Sequence, residues 1–114
     1  MARTRDLEVI PGTLELLILR ALAWEPMHGL AVLRWIETGS RRVLRIEEGA
    51  LYPALHRMEA KGWLASEWGY TDEGRRARYY RLTATGRRQF TAEQSRWERY
   101  AEVVALLLQP GRAT

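Results

Sequence analysis

The chain has 114 residues, of which 46% are hydrophobic and 28% charged, a composition typical of one folded domain. It contains no cysteine, which excludes disulfide bonds, cysteine-ligated zinc and a thiol nucleophile. The net charge of +4 is concentrated in residues 41–88, where eleven basic side chains stand against six acidic ones. A local excess of positive charge favours a polyanionic partner such as nucleic acid.

No secretory leader or membrane span is evident in the sequence. No charged segment followed by an apolar run precedes the domain. The longest apolar stretches, such as residues 103–108, are far shorter than the roughly 20 residues that cross a bilayer. We therefore expect a cytoplasmic protein that has no membrane partner.

The first 40 residues predict an arm and two helices. Residues 1–12 form an arm that ends at a Pro-Gly pair, and Thr13 has the side chain of a helix N-cap. Apolar residues then recur at helical spacing and stop near Trp24, because a proline follows soon after. A second and mostly apolar helix opens at residues 28–29 and ends at a Thr-Gly-Ser sequence.

The third helix is preceded by a short basic segment, residues 41–46, which predicts a brief strand. Pro53 places the start of the helix near Gly49 or Ala50, because proline fits the first turn and breaks a helix interior. The helix runs to Lys61, which a glycine follows. One face of this helix is apolar and comprises Leu51, Ala54, Leu55 and Met58.

The rest of the chain predicts a hairpin and a long helix. Strand-like segments at residues 63–68 and 77–82 flank a loop that is rich in turn-forming residues. Thr83 then caps a helix that continues to Pro110. Apolar side chains recur along this helix with a heptad period, which is typical of a helix–helix seam. The predicted dimerisation residues are Phe90, Trp97, Tyr100, Val104 and Leu107.

These elements predict a mainly α fold with a small β-hairpin, namely a winged helix-turn-helix plus a long C-terminal dimerisation helix. We assign residues 1–82 to a winged-helix DNA-binding domain with an N-terminal arm, and residues 83–114 to the dimerisation helix and tail. So small a domain leaves the seam of the last helix without a partner in its own chain. Its natural partner is the same helix of a second copy, so we expect a homodimer.

Four segments together resemble the PadR family of transcriptional regulators. They are residues 13–19, the pair at residues 28–29, residues 48–59 and residues 78–86, in the family's order. The resemblance extends over nearly the whole chain and matches the compact branch, which has a single dimerisation helix. It implies a bacterial, homodimeric repressor that is sometimes released by a small ligand. Ala50 departs from the family, which often has Ser or Thr there, so a hydroxyl for capping or phosphate contact is missing.

The solvent face of the third helix and the tip of the hairpin supply the predicted contacts to double-stranded DNA. Small side chains let a helix lie deep in a major groove, while phenol, imidazole and cationic groups reach phosphates or base edges. The alternatives are an ordinary solvated helix face and a solvated, mobile loop. The predicted DNA-binding residues are Gly49, Tyr52, Pro53, His56, Arg57, Lys61, Arg75, Arg76 and Arg78.

The aromatic residues have mainly structural interpretations. Of the adjacent Tyr79 and Tyr80, at least one must point inward. Trp97 lies on the seam of the last helix, where it either packs in the dimer or lines a pocket for a small aromatic effector. The remaining tryptophans are assigned mostly to the core: Trp24, Trp35, Trp63 and Trp68.

No catalytic or metal site is evident. Glu47 and Glu48 precede the third helix, where negative charge favours the helix N-terminus, and this is a better interpretation than a catalytic pair. His28 and His56 lack neighbours at metal-ligand spacing, and we expect His28 to support the turn into the second helix. No nucleophile, base and orienting group occur together, so we expect neither an enzyme nor a cofactor.

The leading interpretation is therefore a sequence-specific repressor that binds an inverted repeat as a homodimer. Whether a small aromatic ligand releases it stays open. One alternative is a winged helix used only as a protein-interaction module, which the basic excess in residues 41–88 disfavours. Another is a small-molecule binding protein in which DNA binding is vestigial.

Overall fold

The computed structural model describes residues 7–111 and arranges them as helices around a small sheet. The helices are α1 (Leu14–Trp24), α2 (Gly29–Gly39), α3 (Glu48–Ala60) and α4 (Ala84–Leu108). The strands are β1 (Leu7–Glu8), β2 (Met27–His28), β3 (Leu44–Arg45), β4 (Leu64–Tyr70) and β5 (Arg76–Leu82). This order confirms the predicted winged helix-turn-helix with a small β-hairpin and a long C-terminal helix.

One hydrophobic core holds α1, α2, α3 and the hairpin together. The apolar stripe predicted for α3 is confirmed, because all four of its residues are fully buried. It lies in one cluster with Ile18 and Leu22 of α1 and Val32 of α2. Since burying one such side chain contributes about 1.5–3 kcal/mol, this cluster fixes the angles among the three helices.

The hairpin consists of β4 and β5, which pair antiparallel along their full length. β2 extends the sheet on the other side of β5, opposite Tyr79 and Tyr80. Side chains alternate between the two faces of a strand, so Tyr80 is buried while Tyr79 is only half-buried. The prediction that at least one of the two points inward is confirmed.

Part of the predicted N-terminal arm is paired with the domain. β1 runs parallel to β3, which confirms the brief strand predicted within residues 41–46. The Leu7 N–H also donates to the Val43 carbonyl at 2.7 Å. β1 therefore lies beside the segment that leads into α3. The rest of the arm, residues 1–6, and the end of the tail, residues 112–114, lie outside the described residues.

Helix α4 is attached to the end of α3 by close backbone contacts. The Thr83 hydroxyl donates to the Gly62 carbonyl at 2.6 Å and accepts the Gly86 N–H at 2.9 Å, which confirms Thr83 as the N-cap. The Thr83 N–H donates to the Trp63 carbonyl at 3.0 Å. A Cβ atom on Gly86 would overlap that same carbonyl oxygen, so this approach requires glycine.

The expectation that the tryptophans are mostly core residues is wrong for two of them. Trp24 is the last residue of α1 and is 67% exposed, because the turn that follows it, residues 25–26, is itself exposed. Trp68 is 55% exposed on β4, where its partner across the hairpin is Arg78 and not the core. The other two are half-buried against the core, namely Trp35 and Trp63.

Candidate nucleic-acid interface

The outer face of α3 is exposed, as its periodicity predicts. Five of the predicted DNA-binding residues are exposed along it: Gly49, Tyr52, Pro53, His56 and Arg57. Ala60 adds a further small side chain to the exposed set. A helix with small outer side chains fits closely into a major groove, which is about 12 Å wide. The exposed face of α3 therefore combines small side chains with ring-bearing and cationic ones.

Tyr52 combines partial exposure with a packing contact. Its ring lies against Gly29 at the start of α2, where an added Cβ would come within 2.5 Å of the ring. His28 caps the same helix, because its Nδ1 accepts the Ala31 N–H at 3.2 Å. This confirms the predicted role of His28 in the turn into α2. Tyr52 therefore links α3 to the start of α2, and 38% of Tyr52 stays exposed.

Arg57 forms an ion pair with α1. Its Nε lies 3.6 Å from Oε2 of Glu15, and its side chain is 57% exposed. Exposed pairs of this kind contribute about 0–1 kcal/mol, so exchanging the carboxylate for a phosphate or base edge costs little. Glu15 therefore holds the Arg57 guanidinium at the side of α3 without blocking its use elsewhere.

The tip of the hairpin is ordered by its own hydrogen bonds. The Thr71 N–H donates to the Arg75 carbonyl at 2.8 Å, and the Thr71 hydroxyl accepts the Arg75 N–H at 3.2 Å. The Arg75 side chain is exposed, and no ion-pair partner for it lies within the described part of the chain. Exposed Asp72 and Glu73 offset part of the positive charge there.

Arg76 and Arg78 lie over the ring of Trp68. Their guanidinium carbons are 4.3 Å and 5.3 Å from its centroid, respectively. Arg78 also donates from Nε to the Ser66 hydroxyl at 2.8 Å and lies 3.8 Å from the Glu59 carboxylate of α3. Ser66 donates to that carboxylate at 2.6 Å. Arg78 is therefore tied to α3, whereas within residues 7–111 the Arg76 side chain contacts only the indole.

Two further groups set the electrostatics between α3 and the hairpin. Burial, and then the nearby Glu59 carboxylate, raises the pKa of Tyr80 above its ordinary value of 10.0, so this hydroxyl is neutral at pH 7. The Lys61 ammonium lies 4.5 Å from the Trp63 ring centroid. This exposed cation therefore stands where α3 ends and the hairpin begins.

The predicted dimerisation residues divide into two groups along α4. Phe90 is half-buried and packs against the hydrophobic core of its own chain. The expectation that nothing in the chain covers the seam is therefore wrong for Phe90. Further along, Val104 is half-buried and three members of the seam are exposed: Trp97, Tyr100 and Leu107. They have exposed apolar neighbours, namely Val103, Leu106 and Leu108.

Trp97 lines a groove between α4 and the segment that precedes α1. The ring centroid of Tyr100 lies 6.3 Å from that of Trp97. Ile10 and Leu16 contribute to the opposite wall of this groove, which encloses about 360 Å³. An adjoining and more apolar groove of about 270 Å³ extends from Trp97 to Leu7. This geometry accommodates both a packing role and a ligand role for Trp97.

The acidic and histidine residues form no metal cluster in residues 7–111, since no three potential ligands lie close enough together there. No helix in the same range has the length and apolar character needed to cross a membrane. Glu47 occupies the N-cap position of α3 and Glu48 its first turn. Both carboxylates therefore stand where negative charge stabilises a helix, as their sequence position indicates.

Sequence reasoning missed four residues that organise this surface: Glu15, Glu59, Trp68 and Gly86. The register of the hairpin shows that Trp68 belongs to this surface, because Trp68 lies opposite Arg78. Tyr70 in turn lies opposite Arg76. A signal for this was present as two alternating pairs, Trp-x-Tyr and Arg-x-Arg. Glu59 and Gly86 had no comparable signal, because their contacts depend on how elements distant in sequence pack.

Comparisons with known proteins give a consistent result. The family model for the transcriptional regulator PadR-like family matches residues 18–92. Transcriptional regulator Rv3488 of Mycobacterium tuberculosis is 40% identical over 88 residues, which are 76% of this chain and 78% of that protein. An uncharacterized protein of Lysinibacillus sphaericus is 24% identical over 102 residues, covering 90% of this chain and 94% of that protein.

Solved structures extend the likeness to the whole fold. A PadR family transcriptional regulator from Eggerthella lenta has a TM-score of 0.75 at 33% identity, covering 88% of this chain and 85% of that one. A transcriptional regulator from Clostridium thermocellum has a TM-score of 0.78 at 26% identity, covering 86% and 95%. The family consists of transcriptional regulators and not of enzymes. With the family model matching more than half of its length, the chain belongs to the PadR-like family of transcriptional regulators.

Proposed function

We propose that the protein is a homodimeric repressor that binds double-stranded DNA at an inverted repeat. Each α3 enters a major groove, and each hairpin lies as a wing on the adjacent backbone. The two-fold symmetry of the dimer matches that of the repeat, whose half-sites are about 34–36 Å apart. Occupation of the site blocks a promoter in the cytoplasm of a bacterial cell.

The observation that carries this proposal is that the exposed face of α3 and the basic hairpin belong to one surface. Both elements lie within residues 41–88, which carry the excess of positive charge. The contacts of Glu59 with Ser66 and Arg78 join them. The residues proposed to contact DNA are Gly49, Tyr52, Pro53, His56, Arg57, Lys61, Arg75, Arg76 and Arg78.

The proposal of a homodimer rests on the exposed apolar half of α4. Tyr100 is 63% exposed, Leu107 75% and Leu108 76%, although all lie on one well-formed helix. Monomeric proteins rarely leave a contiguous apolar surface of this kind in water. The radius of gyration of 16.5 Å exceeds the roughly 13 Å of a compact chain of this size, as expected for a projecting helix. A second copy would cover the same face on both chains.

The proposed effector site is the groove beside Trp97. Trp97 and Tyr100 form an aromatic pair at the point where α4 leaves its own domain. A planar apolar compound stacked there would change how α4 meets its partner, and thereby the separation of the two α3 helices. Such a compound releases the DNA only if it binds the DNA-incompatible arrangement more tightly.

A salt titration of DNA binding tests the proposal. The probe is a labelled duplex from upstream of the protein's own gene, read by fluorescence anisotropy. With about 6–10 phosphate contacts per dimer, we expect affinity to fall by roughly 10³–10⁵ between about 50 and 200 mM salt. Arg99→Ala on α4 serves as the control, because it removes one exposed arginine outside the proposed surface. Undetectable or salt-insensitive binding would contradict the proposal.

A further inference from the structure

Trp68 is an exposed indole on the hairpin that none of the contacts proposed above uses. It lies on β4, directly opposite Arg78 on β5, and Tyr70 lies opposite Arg76. Opposed residues of an antiparallel pair share one face of the sheet, and so do residues two apart on a strand. One face of the hairpin therefore carries two aromatic rings and two guanidinium groups.

The two guanidinium groups are arranged around the indole. The Cζ of Arg76 is 4.3 Å from the ring centroid and that of Arg78 is 5.3 Å from it. No cation lies over the ring of Tyr70 within the described residues, although that ring is 71% exposed on the same strand. Of the two rings on this face, Trp68 is the one that contacts arginine.

A guanidinium group that stacks on a ring keeps its hydrogen-bonding capacity. The contact uses the flat face of the group, while the N–H donors lie in its plane and remain available to a phosphate, except for the Arg78 Nε–H that donates to Ser66. A free arginine side chain loses rotamer freedom when it binds a phosphate, and that loss weakens the contact. An arginine already held by an indole has lost part of this freedom before DNA arrives.

We propose that Trp68 is a positioning residue for DNA binding, which holds the guanidinium groups of Arg76 and Arg78 ready for neighbouring backbone phosphates. This inference rests on the proposed function. Ser66 and Glu59 also contact Arg78, so this guanidinium group is held relative to α3. The wing and the recognition helix then meet the duplex as one unit.

The same geometry argues against a wedge that inserts between bases. An inserted side chain stacks on base pairs through both of its faces, and wedges of this kind kink the duplex. Arg76 already occupies one face of the Trp68 ring at 4.3 Å. The indole therefore acts on DNA through the arginines that it orients.

The test is a double-mutant cycle on duplex binding with the full-length protein. The probe is a fluorescein-labelled mixed-sequence duplex of about 30 base pairs at low salt, because phosphate contacts are independent of sequence. Trp68→Ala is compared with Trp68→Phe and with Tyr70→Ala, the matched loss of an exposed ring on the same strand. Each Trp68 variant is also made in an Arg76→Ala, Arg78→Ala background and in an Arg75→Ala background.

We expect Trp68→Ala to weaken binding by about three- to tenfold with little change in the salt dependence, since the number of phosphate contacts stays the same. Trp68→Phe should restore part of the loss, and Tyr70→Ala should remain within about twofold of the parent. Trp68→Ala should have no further effect when Arg76 and Arg78 are already removed. It should keep its full effect in the Arg75→Ala background, because that side chain does not stack on the indole.

Several results would overturn this assignment. An equal loss from Trp68→Ala with and without the two arginines would mean that the indole touches DNA itself. Unchanged binding by Trp68→Ala would remove the positioning role while leaving the proposed function intact. A duplex kink that Trp68→Ala abolishes, seen by energy transfer between labelled duplex ends, would indicate a wedge. No binding by the parent protein would refute the proposed function itself. Thermal melting checks that each variant folds. If Trp68→Ala does not fold, Trp68→Phe still decides the test.

Discussion

The winged-helix part of the chain and helix α4 bury their apolar side chains in different ways. In the first region, apolar residues from Ile18 to Leu82 fill one core within a single chain. Along α4 only Gly86 is buried, Phe90 is half-buried, and exposure rises to 76% at Leu108. The winged-helix region buries its apolar side chains within one copy of the protein. The exposed apolar side chains of α4 would be buried only if another surface covered them.

This difference separates the surface that we propose to bind DNA from the surface that we propose to form the dimer. The winged-helix region presents a basic, exposed surface, and the far half of α4 presents an apolar one. Helix α4 joins the winged-helix region at its N-terminal end, where Thr83 and Gly86 contact the carbonyls of Gly62 and Trp63, just beyond α3. A change in how α4 packs would therefore reach the end of α3 through backbone contacts.

The largest effect is expected from a charge in the seam of α4. Val104→Asp would bury an unpaired carboxylate between the two copies, which costs several kcal/mol. We expect a monomeric or unfolded protein that no longer binds DNA, measured by light scattering and anisotropy. Ser95→Asp adds the same charge at an exposed position of α4 outside the seam and should leave the dimer intact. A folded dimer of Val104→Asp would place the interface elsewhere.

A substitution at the junction should break the link between the two regions. Gly86→Ala forces a Cβ into the space of the Trp63 carbonyl oxygen, at a cost of about 1–3 kcal/mol or more. We expect a lower melting temperature and weaker DNA binding, because α4 must shift relative to α3. Gly39→Ala is the control, since nothing lies within 4 Å of an added Cβ there. Equal melting temperatures of the two variants would show that the junction tolerates displacement.

A smaller effect should distinguish the two parts of the basic surface. Arg57→Ala should weaken binding and relax the preference at one base position, by about 1–3 kcal/mol if the contact is bidentate. Arg75→Ala with Arg76→Ala should weaken binding to all sequences equally and flatten the salt dependence. Binding to a panel of operator variants measures both. A wing double variant that chooses a different operator would show that the wing also reads sequence.

The smallest effect on DNA binding is expected from Trp97→Ala, which should leave operator affinity nearly unchanged. If the groove beside Trp97 senses a ligand, this substitution should abolish release of DNA by planar aromatic compounds. A screen that follows tryptophan fluorescence together with operator release would measure it. Compounds that release DNA equally from both proteins would leave Trp97 with a packing role alone.

The periodicity of the sequence predicted the elements of the fold well. The buried stripe of α3, the brief strand before it, the hairpin and the cap at Thr83 all depend on local residue patterns. What the sequence could not predict depends on contacts between distant elements. Trp68 is a large apolar residue of the kind found in cores, but in the hairpin register it lies beside two arginines.

The division of the α4 seam follows the same logic. A heptad pattern marks Phe90 and Val104 as equivalent positions, yet of these two only Phe90 packs against the hydrophobic core of the described residues. The ion pair between Arg57 and Glu15 and the close approach of Gly86 likewise require the packed structure. Sequence alone therefore identified the exposed face of α3 but not the groups that hold its arginine.

Selection of bound duplexes from a random DNA pool tests the central claim most directly. A homodimer that places two α3 helices in successive major grooves should enrich an inverted repeat with half-sites about one helical turn apart. The Val104→Asp variant should enrich no such repeat under the same conditions, whereas Ser95→Asp should. A pool that remains random with the parent protein, or that yields only single half-sites without symmetry, would contradict the account.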